Sequence, residues 1–78
     1  MSDSLPEIIP YQDRVQNVVN YVIANSDTST KKNTVLEHIE TSSISMKIRD
    51  YTIGGSARRD FIKDVLLGLK GKIRIKAK

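Results

Sequence analysis

GGSARRDFIKDVLLGLKGKIRIKAK, residues 54–78, changes its apolar period part-way along, and that change decides the fold. Up to Leu69 the residues Phe61, Ile62, Val65, Leu66 and Leu69 recur at spacings of three and four, the stripe of a helix that buries one side. Gly54-Gly55 breaks the chain before it, Ser56 is placed to cap it, and Gly68 and Gly71 mark its end, so the spacing predicts a helix over residues 57–69. From Lys72 the period drops to two. Ile73, Ile75 and Ala77 point one way and Lys72, Arg74, Lys76 and Lys78 the other. Paired, this is a half-buried strand with a basic outer face that joins a second copy or lies beside the last helix like the wing of a winged helix. Unpaired, it is a basic tail.

Upstream, residues 44–53 (ISMKIRDYTI) fit two periods: Ile44, Met46 and Ile48 alternate as in a strand, whereas Ile44, Ile48 and Tyr51 fit a helix. A short helix is the preferred reading. Before it, Val35, Leu36 and Ile39 give a second helix its apolar side; the cap formers of residues 25–30 and the capping-box pair Thr34 and Glu37 place its start between Ser29 and Thr34, and Thr41-Ser42-Ser43 closes it. The first helix follows Pro10, with Tyr11, Val15, Val18, Val19, Val22 and Ile23 on one stripe. Valine is a poor intrinsic helix former, so packing must hold this helix: inside one core first, along a dimer seam second. Residues 1–9 have no period and read as a loose arm.

The 78 residues therefore make one small domain, residues 10–78, of the mainly α class: three to four helices and a short basic C-terminal β-strand. A chain this short buries only a little over ~60% of its unfolded surface, which makes self-association as a homodimer a reasonable expectation. With no Cys and His38 as its single His, it offers neither a disulfide nor a zinc site, and no metal or cofactor is expected. No apolar run approaches the ~18 residues of a membrane span, and no basic segment precedes an apolar stretch at the N-terminus, so the expected location is intracellular, in the cytoplasm.

Charge is the main functional clue. Residues 47–78 hold ten cations (Lys47, Arg49, Arg58, Arg59, Lys63, Lys70, Lys72, Arg74, Lys76 and Lys78) against Asp50, Asp60 and Asp64, a formal +7, whereas the first 46 residues carry −3. One end of the chain attracts polyanions. Arg58 and Arg59 fall in the first turn of the last helix, where the macrodipole ordinarily favours acids; with Gly54-Gly55 and Ser56 they suit a phosphate docked at that helix start. The bland alternative is a pair of solvated arginines balanced by Asp60. Arg59, Lys63 and Lys70 lie near one line of the helix and continue into the basic strand. Ser45, Lys47, Arg49 and Thr52 are the nearest match to base-reading side chains, which makes residues 34–53 a candidate helix-turn-helix whose turn lacks the usual glycine. Base stacking on RNA has little to draw on, since Tyr11 and Phe61 fall on apolar stripes.

An enzyme is not expected. His38 beside Glu37 has no nucleophile pattern around it, and Asp60 and Asp64, one turn apart amid Arg59 and Lys63, read as helix ion pairs. In its pattern of apolar positions, the polar loop and second helix (residues 25–39), between an apolar first helix and a charged last one, resemble the small α-helical biofilm and acid-stress regulators of enterobacteria. The Gly-Gly turn and basic strand depart from that family, and no functional residue is carried over from it. The expected function is a non-enzymatic regulatory protein that docks on the DNA phosphate backbone. The alternative is an adaptor or inhibitor that uses the same surface to grip an acidic protein.

Overall fold

The computed structural model describes residues 9–76. The expected arm falls outside them except for Ile9, as do Ala77 and Lys78. Four helices and two strands follow in the order α1 (Tyr11–Ala24), β1 (Ser29–Lys31), α2 (Lys32–Ser45), α3 (Arg49–Ile53), α4 (Gly55–Leu69) and β2 (Arg74–Lys76). The domain is mainly α, as the periodicity predicts. Among the described residues no helix is long and apolar enough to cross a membrane.

The core forms where the stripes of three helices meet. Val18, Val19 and Val22 of α1, Val35 and Ile39 of α2, and Phe61, Val65 and Leu69 of α4 are all buried, and α1 packs against both α2 and α4. The valines of α1 thus find their partners within the chain, which supplies the packing that their weak helix propensity requires. Tyr11 stands edge-on to Phe61 with ring centroids 6.2 Å apart, and its hydroxyl donates to Asp64 of α4. Burial and the Asp64 carboxylate push the Tyr11 phenol up to about 12.

Gly68 is the last residue but one of α4, in the closing turn where the sequence reading places it. A Cβ there would come within 2.9 Å of the Val19 side chain, so this glycine sets how closely α1 and α4 approach. Gly71 marks the exit, at φ 83. At the other end α4 begins at Gly55, with Gly54 as its N-cap and Ser56 already inside the helix; no side chain caps it.

Two segments depart from the sequence reading. Residues 29–31 form a strand that the sequence reading lacks; α2 starts at Lys32, inside the window expected from Ser29 to Thr34, but the Thr34–Glu37 capping box does not form. α2 also runs past Thr41-Ser42-Ser43 to Ser45, because Ser42 and Ser43 are fully buried and the Ser42 hydroxyl donates to the Ile39 carbonyl at 3.1 Å. In residues 44–53 the helix reading holds for the second half. Ile44 and Ser45 finish α2, Met46 to Ile48 make a turn, and α3 follows. That turn is a Schellman cap: the Ile48 amide donates to the Ser43 carbonyl at 2.8 Å and the Lys47 amide to the Ile44 carbonyl at 3.1 Å, with Lys47 at φ 55 in the glycine position.

Arg14 of α1 ties α3 to the body. Its Nε lies 2.5 Å from Asp50 Oδ2 and its Nη2 3.1 Å from Oδ1, both side chains being mostly buried. Asp50 is held below the usual carboxylate range by that hydrogen-bonded arginine, and the Arg14 guanidinium is raised in turn. The third Arg14 nitrogen, Nη1, donates to the Ile9 carbonyl, which anchors the start of the described chain.

The last strand pairs within its own chain. β2 lies parallel to β1 in the register Ser29 to Arg74, Thr30 to Ile75 and Lys31 to Lys76. The Arg74 amide donates to the Thr28 carbonyl at 2.8 Å. Thr30 is buried, and Ile73 and Ile75 pack against the core, so the inward face is the one that the alternation predicts. The partner is the unexpected part. A wing would be an antiparallel hairpin, whereas here the link between α1 and α2 lies side by side with the last strand.

Candidate nucleic-acid interface

The register builds a basic patch from segments more than forty residues apart. Lys31 and Lys76 are directly opposite and both exposed; Arg74, Lys72 and Lys70 are exposed on the strand and its approach, and Lys32 opens α2 next to Lys31. Neighbouring strands lie about 4.8 Å apart, so the two in-register lysines share one small area of surface. Among the described residues of segments 27–32 and 70–76, Asp27 is the single acid against these six cations.

In sequence Lys31 and Lys32 belong to the acidic half of the chain and carry no pattern that selects them as candidates. Three strand residues are too few to show a period, and their partner lies far away in sequence, so the lone signal was a pair of lysines after a β-branched residue.

From the patch the basic surface continues along α4. Arg59, Lys63 and Lys70 are exposed and project from one side of the helix and its exit, the side opposite Phe61 and Val65. At 1.5 Å per residue this row spans about 16 Å. Leu67, 58% exposed, lies beside it.

Arg58 has a different place. Its guanidinium lies over the Tyr51 ring, 4.4 Å from the centroid, and its Nε donates to the Tyr51 carbonyl at 2.8 Å. It thereby closes the Gly54 turn between α3 and α4, and the two arginines do not form a joint site at the helix start. The adjacent Tyr51 phenol is raised, chiefly by burial.

Lys47 and Arg49 are exposed at the opposite end of α2 from the sheet. α3 is five residues long, little more than one turn, so it lacks the length of a recognition helix lying in a groove. Lys78 lies outside the described residues.

His38 is half-buried, with its ring edge-on to Tyr21 at a centroid distance of 6.4 Å. It borders a polar cleft of about 250 Å³ with Ser26, Asp27, Lys31 and Thr34. Among the described residues no three His, Cys, Asp or Glu side chains gather into a metal-holding group. Among the described residues the arrangement offers a row of exposed cations on helix and strand backbone.

No family model, curated protein or solved structure matches this chain.

Proposed function

We propose that this chain is a small non-enzymatic regulatory protein that works in the cytoplasm and binds DNA through the β1–β2 patch and the α4 row. The observation that carries the reading is the register of the sheet, which sets Lys31 directly against Lys76. Like charges opposite one another in adjacent strands destabilise a sheet. A fold that keeps four more cations around such a pair gains most from a ligand that neutralises several of them together, and a phosphate backbone does so. The row of Arg59, Lys63 and Lys70 extends the contact over about 16 Å, a length along which a duplex presents roughly ten charges. Phosphate contacts of this kind position a protein without reading sequence; selectivity then rests on DNA shape or on Lys47 and Arg49.

A second reading has its own observation. Among the described residues the sheet stops at two strands, so β2 has an unpaired outer edge to which an acidic extended segment of another protein can add. Salt dependence separates the two. Fluorescence anisotropy with a random-sequence duplex across a salt series should give a log-log slope of about −0.9 per phosphate contacted. Lys31→Gln with Lys76→Gln should flatten that slope by up to about 1.8. Absence of duplex binding near physiological salt, with retention on an acidic peptide column, refutes the DNA reading in favour of the adaptor.

A further inference from the structure

The basic patch explains neither the backbone of Lys47 nor the surface around it. Among the described residues Lys47 is the one non-glycine with a positive φ. The Schellman geometry demands this conformation, and glycine adopts it without the Cβ penalty that another L-residue meets. Lysine gains part of that back, because a cation at a helix C-terminus meets the negative end of the dipole. Position 47 is nonetheless a strained one filled by a long cationic side chain that reaches into solvent.

Its surroundings point the same way. Arg49 is exposed two residues on, and among the described residues neither cation pairs with a carboxylate. Ile44 and Met46, 56% and 39% exposed, flank Lys47, while Ile48 and Tyr51 turn into the core. The corner therefore offers two exposed cations beside apolar side chains, on a turn held by two backbone hydrogen bonds; the one carboxylate that feels Arg49, Asp50, is already held by Arg14. Its distance from the patch follows from α2, whose 14 residues separate Lys32 from Lys47 by about 20 Å. α4 runs back from this end to the sheet and carries Arg59, Lys63 and Lys70 along the way.

We infer that the α2–α3 corner is a second polyanion contact, with Lys47 held in a strained conformation because its cation touches a phosphate about 20 Å, or roughly six base pairs, from the sheet patch. The inference rests on the DNA reading and adds to it a second contact point and a minimum length of duplex. It also predicts a conflict between stability and binding at a single residue.

The test is Lys47→Gly, which relieves the backbone and removes the charge, alongside Arg49→Gln and the Lys31→Gln/Lys76→Gln pair. Thermal melting should show the Lys47→Gly protein melting higher than the parent by several degrees. On a random duplex of about 16 base pairs, its affinity should fall roughly three- to tenfold at moderate salt, with a slope shallower by about 0.9. Combined with the sheet pair, the losses should add, because sites this far apart act independently. Unchanged affinity in Lys47→Gly and Arg49→Gln, with the sheet pair still weakened, overturns the second contact and leaves the DNA reading standing. A parent protein that ignores the duplex at low salt removes both. A Lys47→Gly protein that melts lower overturns the claim of strain.

Discussion

Replacing Lys76 by glutamate should stabilise this protein while weakening its hold on DNA. The two in-register side chains project from strands about 4.8 Å apart, and mutual repulsion spreads their ammonium groups to about 6 Å or slightly more. Two unit charges at that distance in water repel by about 0.7 kcal/mol, which screening at physiological ionic strength roughly halves. Reversing one sign turns the repulsion into an attraction of the same size, a swing of about 1.4 kcal/mol at low salt and about 0.7 near physiological salt. For a domain of this size the latter is a rise of about 3–6 °C in Tm. The assay is thermal and urea denaturation of the parent, Lys76→Glu, Lys31→Glu and the double variant, each at low, physiological and about 1 M salt. A double-mutant cycle is needed because Lys31 is also the N-cap of α2, where an acid gains from the helix dipole on its own account. The double variant sets Glu against Glu, so it should forfeit the coupling that each single variant gains, and the coupling should shrink towards zero in about 1 M salt. A Lys76→Glu protein no more stable than its parent at low salt, or a coupling indifferent to salt, would refute the register as a source of charge frustration. It would also remove the observation on which the DNA reading stands.

Gly68→Ala should destabilise despite alanine's better helix propensity, because its Cβ would sit 2.9 Å from a Val19 methyl. An overpacking cost of about 1–3 kcal/mol set against a gain of about 1 leaves a net loss of up to about 2, and Val19→Ala in the same chain should recover part of it in urea titrations. In a spectrophotometric titration Tyr11 should ionise near pH 12, and Tyr11→Phe should remove that step. Since its phenol is raised in the folded state from 10.0, the Tyr11–Asp64 bond contributes fully below pH 10 and is lost as pH rises towards 12, so the alkaline fall in stability should be shallower in the variant. Asp50 is shifted the opposite way: its contribution is present above the ordinary carboxylate range and is lost as pH falls through its depressed folded value. Asp50→Asn should cost about 1.5–3 kcal/mol at neutral pH and flatten the acid limb of the stability profile, read by urea titration at each pH.

The apolar stripes of α1, α2 and α4, the inward face of β2 and the basic outer face were all legible in the sequence, because each is a periodic signal carried within one segment. The row of Arg59, Lys63 and Lys70 was legible for the same reason: helical spacing alone puts them on one side. The boundaries were less secure where local chemistry competed with burial. Ser42 and Ser43 look like a stop signal, yet the core holds them inside α2; Ser56 looks like a cap, yet Gly54 takes that place.

Tertiary structure decided what the separate segments do together. No local pattern could reveal that Ser29–Lys31 is a strand, since its reason to be one is β2, and parallel pairing joins residues that only the folded helices bring alongside. The same holds for Gly68, a helix stop by residue type but a close-packing site once Val19 faces it, and for Arg58, a phosphate ligand by spacing but a stacked brace on Tyr51 in space. Periodicity determines which face of an element is buried. Which elements meet, and hence which charges become neighbours, is set by long-range packing that no window of sequence contains.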